Sequence, residues 1–188
     1  MKIGRLLLRL IVGGYFFGHG TQKLFGWFGG HGLEGTGAFF ENLGLRPGKR
    51  HAMAAGAAEA GGGALIVLGA ATPLAAAVIT STMLTAIHRV HLKNGPWVSD
   101  QGYEYNLVLI AAVLSLAETG PGSPSIDSAR GSSMHGSKWA ALALLLGIAG
   151  AAGAHAVAEA APAPEPAPAP APEPAPTEAA PAADAPPA

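Results

Sequence analysis

The residues of this sequence that could do chemistry are a few ionisable side chains that interrupt long apolar runs. His19 and Lys23 lie in the stretch HGTQKLFGWFGGHG, directly after one such run, and Glu59 stands alone in a second run of alanines and glycines. A carboxylate near the centre of a bilayer costs about 2.5–3.5 kcal/mol on insertion scales, so it needs a partner or a proton. We therefore expect Glu59 to face the interior of a helix bundle. Its candidate partners by depth are His19, Lys23 and His88.

Two histidines, one of them His88, lie near the end of a third apolar run. His88 and His91 are three residues apart and therefore share one face of a helix. They could cap the helix end at the membrane interface, donate hydrogen bonds to a polar head group such as a quinone carbonyl, or bind a metal or haem together with His19. A metal site would require a complete set of ligands and further groups that orient those ligands by hydrogen bonds. We prefer the first two interpretations, in that order, and predict no metal site.

The elements that must position these residues are membrane helices. Hydrophobic residues make up 49% of the 188-residue chain and charged residues only 12%, about half the usual share in soluble domains. The apolar runs cover residues 5–27, 52–71, 73–91, 103–117 and 139–158. So many runs are hard to bury in a soluble protein of this size. We predict an all-α membrane protein, a four-helix transmembrane bundle with a fifth, C-terminal transmembrane helix.

The same composition excludes several kinds of site. The sequence contains no cysteine, which excludes disulfides, thiolate metal sites and a cysteine nucleophile within this chain. It contains no CxxC, no Rossmann glycine fingerprint and no flavin motif, so redox chemistry would need a bound cofactor or another subunit. Its 11 basic residues lie at loop edges rather than in a stripe, which is not the pattern of a nucleic-acid-binding protein.

The chain divides into four segments. We predict a four-helix membrane domain over 1–128, a Gly/Ser-rich loop over 129–138, the additional transmembrane helix over 139–158 and a tail over 159–188. The tail is rich in alanine, proline and acidic residues and holds most of the 16 prolines of the chain. Because such a segment cannot build a packed core, we predict that it is disordered and solvated.

Chain direction predicts which helix ends meet. Antiparallel neighbours joined by short connections alternate direction, so the end of the first helix, the start of the second, the end of the third and the start of the fourth share one side of the membrane. His19, Lys23, His88 and Glu104 then lie on that side. Small residues at four-residue spacing, such as Gly14 with Gly18 and Gly56 with Ala60, would permit close helix approach.

Orientation is predicted from the basic residues and the number of spans. The Lys and Arg count is nearly balanced between the two sides, and the basic start of the chain favours a cytoplasmic N-terminus. Five spans then place the Pro-rich tail on the extracytoplasmic side of the bacterial inner membrane. Aromatic residues near the polar side have the pattern of an interfacial belt: Trp27, Phe28, Trp97 and Tyr103.

Five pieces of the sequence, in order, resemble the DoxX family of small bacterial membrane proteins. They are HGTQKLFGWFGG (19–30), EAGGGALIVLGAATPLAA (59–76), MLTAIHRVHLKNGPW (83–97), GYEYNL (102–107) and GPGSPSID (120–127). The resemblance implies a four-helix membrane bundle and assignment to membrane redox complexes, since related DoxD-type proteins are associated with thiosulfate:quinone oxidoreductase or terminal quinol oxidase complexes. The fifth helix and the tail depart from the family pattern. The motif positions that carry over are His19, Lys23, Glu59, His88, Asn94, Gly95 and Glu104.

Three functional hypotheses follow. The first is an integral membrane subunit or accessory protein of a quinone-linked or thiol/sulfur oxidoreductase complex, with the lipid bilayer and redox subunits as partners. In it Glu59 is the catalytic residue, relaying a proton, while a quinone cofactor is bound by His19, Lys23, His88 and Glu104. The second is a non-enzymatic transport or permeability protein for small solutes, and the third is a membrane scaffold. Oligomeric state and substrate stay open.

Overall fold

The apolar runs of the sequence form long helices, and glycines and prolines between the runs end or begin these helices. The computed structural model describes residues 2–162. Within that range there is no strand, and the α-helices are α1 (Ile3–Phe25), α2 (Gly32–Asn42), α3 (Gly48–Leu68), α4 (Thr72–Ala86), α5 (Glu104–Thr119), α6 (Ile126–Ala129) and α7 (Ser137–Ala160). Helix α4 continues through a π-helical turn, Ile87–His91, and a short 3₁₀ turn, Leu92–Asn94. The predicted all-α class is confirmed.

Local sequence explains where the long helices stop. Helices α1 and α3 each end at a glycine in the left-handed conformation, Gly26 with φ 72° and Gly69 with φ 60°. Only glycine adopts this conformation without a steric penalty, and it turns the chain out of the helix. Pro73 lies in the first turn of α4, where its missing N–H costs no helical hydrogen bond. The chain therefore reverses sharply between α3 and α4.

Four of the long helices form a bundle and the fifth packs on its outside. Helix α1 packs against α3, α3 against α4, α4 against α5, and α5 returns to α1. Between them lies an apolar core centred on Ile66, Ile79, Val113 and Leu116. Helix α7 lies along α4 and α5, and the short helix α2 covers α3 and α1.

Helix length and an apolar exterior identify the chain as a membrane protein. Three helical stretches are long and apolar enough to cross a membrane: Gly48–Leu68, Thr72–Asn94 and Ser137–Ala160. Helix α1, with 23 residues, is about 34 Å long, and α5, with 16 residues, is about 24 Å long. Large apolar side chains such as Leu7, Leu145 and Ile148 are exposed on the outer faces of these helices, as expected for side chains that face lipid.

Glycine contacts bring α1 and α3 unusually close. A Cβ at Gly13 would lie 2.7 Å from the Gly63 carbonyl oxygen, and one at Gly20 would lie 2.2 Å from the Ala60 amide nitrogen. Gly56 and Ala60 are thus at the interface as their spacing indicates. The expectation for Gly14 and Gly18 is wrong, because neither has a neighbour within 4 Å. The contacting glycines of α1 are seven residues apart, which is close to two full turns and keeps them on one face.

The long helices begin and end within about four residues of the predicted apolar runs, whereas the short helices α2 and α6 were not predicted at all. Helix α2 was not predicted, because its 11 residues are too few and too mixed in polarity to resemble a membrane span. Helix α7 extends two residues beyond each end of the predicted 139–158 segment. The predicted disordered tail lies, apart from its first four residues, outside the described residues.

Candidate functional site

Polar side chains gather at both ends of the bundle, and the two ends use them differently. The first end contains the C-terminus of α1, the N-terminus of α3, the end of α4 and the start of α5. The second end contains the N-terminus of α1, the α3–α4 turn and α6.

At the second end, buried charges stabilise helix termini. Arg9 is only 3% exposed, and its guanidinium donates to the carbonyl oxygens of Ile66 and Val67 at the end of α3, at 3.1 and 2.6 Å. It also donates to loop carbonyls of the GPGSP segment. Asp127 accepts hydrogen bonds from the amide nitrogens of Ala71 and Thr72 and from the Thr72 hydroxyl. These groups satisfy helix ends that would otherwise be buried without partners, so their role is structural.

The first end is organised around an ion pair between α1 and α3. Lys23 Nζ lies 2.5 Å from Glu59 Oε2, and the two side chains are 24% and 7% exposed. Of the three partners expected for Glu59, the structure pairs it with Lys23. The Gly20 contact with Gly56 and Ala60 holds the two backbones close on the same side, which brings the two charged side chains together.

Beside this pair lies a cavity of about 870 Å³. Its wall is mostly aliphatic and aromatic and is built from α1, α2, α3, α4, α5 and α7. The exposed lining residues Tyr15 and Tyr105 indicate that the cavity is open to the surroundings of the bundle. Its size is in the range of small-molecule and cofactor sites. The polar lining includes His19, Lys23, Glu59, Arg89, His91 and Asn106.

The five predicted site residues fall into two groups. His19, Lys23 and Glu59 line the cavity, while His88 and Glu104 are not among its lining residues. The ring of His88 packs edge-on against the ring of His155, with centroids 4.4 Å apart. Glu104 Oε1 accepts a hydrogen bond of 2.6 Å from the Val98 amide nitrogen, which holds the loop before α5. All five lie at the first end of the bundle, and their functional roles stay predictions.

The histidines have separate partners. His19 Nδ1 lies 2.9 Å from Gln22 Oε1. His91 Nδ1 lies 2.7 Å from the Gln101 carbonyl oxygen, which also accepts from Asn94. Between residues 2 and 162, no group of three His, Asp or Glu side chains is placed to hold a metal ion. The geometry at this end is therefore one of hydrogen-bond donors and acceptors around an apolar cavity.

Three residues of this end were not assigned to the site from the sequence. Arg89, in the π-helical turn, lines the cavity, and its Nε donates to His155 Nδ1 at 3.0 Å. Asn106, 7% exposed, has its Nδ2 3.5 Å from Met83 Sδ. Arg89 lies between His88 and His91 in sequence, which was a usable signal, and π-helical turns often mark functional sites. His155 gives no such signal, because the sequence does not fix how α7 is rotated against α4.

The fold and the sequence comparisons agree on the class of this protein. The DoxX family model matches residues 4–92, which contain α1 to the π-helical turn with the ion pair and Arg89. The chain belongs to the DoxX family. It is also similar to a protein of Bacillus subtilis (strain 168) named "Putative oxidoreductase CatD", with 36% identity over 115 residues, 61% of this chain and 79% of the relative. No solved structure matches the chain.

Proposed function

We propose that this chain is an integral membrane subunit or accessory protein of a redox complex and that its cavity binds a quinone. The observation that carries the proposal is the Lys23–Glu59 ion pair in the wall of an otherwise mainly apolar cavity of about 870 Å³. A buried ion pair is costly to maintain unless its geometry is good, and ionisable residues inside membrane helices commonly mark functional pathways.

The cavity has the two features that a quinone requires. A quinone has an apolar ring and tail and two carbonyl oxygens that accept hydrogen bonds. Aliphatic side chains such as Val12 and Leu109 suit the ring and tail, and Lys23 Nζ is a donor for a carbonyl oxygen. When bound, the quinone would supply two-electron, two-proton chemistry. Glu59, bonded to Lys23 and next to the cavity, is placed to hold or release a proton.

The head-group site that we propose contains fewer contact residues than the site predicted from the sequence. His19 and Lys23 are the proposed contacts, with Glu59 as the proton-carrying group. His88 and Glu104 support the surrounding walls through His155 and the loop before α5. The donor of electrons would be a partner subunit, because this sequence lacks cysteine and flavin or dinucleotide motifs. The printed name of the Bacillus subtilis relative, an oxidoreductase, is consistent with this class of function.

The proposed location is the inner membrane of a bacterial cell. We infer a multi-pass arrangement with the N-terminus in the cytoplasm, in which the cavity end of the bundle and the Pro-rich tail are extracytoplasmic. The basic N-terminal segment supports this orientation.

Quinone binding by the purified full chain in lipid nanodiscs tests the proposal. We expect saturable binding of a short-chain quinone analogue. Lys23→Met should weaken this binding at least about tenfold, because a hydrogen bond from a charged donor contributes about 1.5–3 kcal/mol. The matched control is Lys49→Met, which breaks the exposed ion pair of Lys49 with Glu34 outside the cavity and should not change binding. Absence of saturable binding to the unmodified chain would overturn the proposal.

A further inference from the structure

The charges that line the cavity do not cancel. Lys23 and Glu59 neutralise each other, but Arg89 also lines the cavity. Among residues 2–162 the ion pairs are Lys23–Glu59, Arg46–Glu41 and Lys49–Glu34, and Arg89 takes part in none of them. Among the described residues that line the cavity, Arg89 is therefore the fixed positive charge that no carboxylate contacts at ion-pair distance.

A histidine of the C-terminal helix fixes the direction of this charge. Arg89 Nε donates to His155 Nδ1 at 3.0 Å. His155 is in turn packed edge-on against His88, so the acceptor itself is held in place. With Nε engaged, the two terminal nitrogens of the guanidinium remain as a planar pair of donors, which is the geometry that binds oxyanions in two-point fashion.

Helix α7 completes the cavity in a second way. Leu146, Gly150 and Ala154 of this helix form part of the lining. The helix can lie close to α4 because Gly147 contacts Thr80, where an added Cβ would be 2.6 Å from the threonine methyl. All of these α7 residues lie beyond residues 4–92, the range matched by the family model.

We propose that Arg89, positioned by His155, makes the cavity select amphipathic ligands whose head group carries an oxyanion. This inference rests on the proposed quinone site and deepens it, because it names the charge state of the preferred head group. In this view α7 is part of the binding site and determines specificity for the charged head group. The ion pair of α1 and α3 supplies the hydrogen-bond donor, Lys23, for a neutral carbonyl oxygen of the quinone.

A matched pair of probes separates this inference from the proposed function. The first probe is 2-hydroxy-3-undecyl-1,4-naphthoquinone, whose hydroxyl is a vinylogous carboxylic acid and is ionised at neutral pH. The second is its 2-methoxy ether, which has the same ring and tail without the charge. Both are titrated into the full chain in nanodiscs of zwitterionic lipid, and partition into empty nanodiscs is subtracted. We expect the hydroxy probe to bind at least about tenfold more tightly than the ether.

Variants identify the groups responsible. Arg89→Gln should remove the preference between the probes, whereas Arg50→Gln, at an exposed arginine on the same side of the bundle, should leave it unchanged. His155→Leu should also remove the preference, because leucine cannot accept from Arg89. His155→Gln should restore it, since its side-chain oxygen can accept the same hydrogen bond. A merely structural role of His155 would not distinguish Gln from Leu in this way.

Three results would contradict the inference, and one of them would also contradict the proposed function. Equal affinity of the unmodified chain for both probes would overturn the inference and leave the quinone site standing. A preference that survives Arg89→Gln would overturn it as well. If neither probe binds, the proposed function fails together with this inference.

Discussion

Replacing Lys23 by methionine removes one member of the buried ion pair and leaves a carboxylate without its partner. Glu59 is 7% exposed and its contact with Lys23 is 2.5 Å long, so water replaces little of the lost interaction. Breaking a buried pair in this way costs about 3–5 kcal/mol. Because the Lys23 side chain is 24% exposed, we take the lower end and expect the free energy of unfolding to fall by about 3 kcal/mol.

The reverse substitution should be milder. Glu59→Gln leaves Lys23, whose long, partly exposed side chain can move its ammonium group toward water, and we expect a loss of about 1 kcal/mol. The double variant, Lys23→Met with Glu59→Gln, contains no buried charge. It should therefore be more stable than Lys23→Met alone by about 1–2 kcal/mol, whereas additive effects would make it about 1 kcal/mol less stable. The difference corresponds to a coupling of about 2–3 kcal/mol, which only interacting residues show.

Reversible unfolding in mixed micelles, followed by helical circular dichroism, measures these differences. The control is Glu34→Gln, which breaks an exposed pair and should change the free energy of unfolding by less than about 0.5 kcal/mol. Additive effects of the two single substitutions, or a double variant less stable than Lys23→Met, would refute the assignment of a buried, interacting pair.

Three further predictions test the bundle around the site. Gly20→Ala should destabilise the chain by more than about 2 kcal/mol in the same unfolding assay, because its Cβ would lie 2.2 Å from the Ala60 amide nitrogen. The control is Gly14→Ala, whose Cβ meets no neighbour and which should be neutral or stabilising. Asp127→Ala should cost about 1–2 kcal/mol, since it removes the acceptor for the Ala71 and Thr72 donors; an unchanged stability would contradict that role. In intact cells, a membrane-impermeant thiol reagent should label His31→Cys, which lies on the cavity side. It should not label Ser133→Cys on the opposite side. Because the chain has no native cysteine, any labelling of it reports the introduced residue.

The membrane helices were predictable because apolar runs and their breaks are local features. Residues 73–91, for example, begin at a proline that suits the first turn of a helix, and the structure begins α4 at Thr72. Alternating chain direction then placed His19 and Glu104 at the same end without any knowledge of contacts. The family resemblance, carried by five short motifs, is confirmed by the match over residues 4–92.

Side-chain partners were not predictable, because they depend on how each helix is rotated about its axis. Three partners for Glu59 were compatible with depth alone, and only the close crossing of α1 and α3 pairs it with Lys23. The same limit explains the error at Gly14 and Gly18, which lie one residue after Gly13 and two residues before Gly20, respectively, and therefore point away from the contact face. The Arg89–His155 contact joins residues 66 positions apart. It was missed because it depends on how α7 is rotated against α4.

Photo-crosslinking of a quinone tests the central claim most directly. An azido-quinone analogue, activated in nanodiscs containing the full chain and followed by peptide mapping, should label residues that line the cavity on α1 and α3, near Lys23 and Glu59. Excess unlabelled quinone should abolish this labelling. Labelling that is confined to the opposite end of the bundle, around Asp127, or that unlabelled quinone does not reduce, would contradict a quinone site in this cavity.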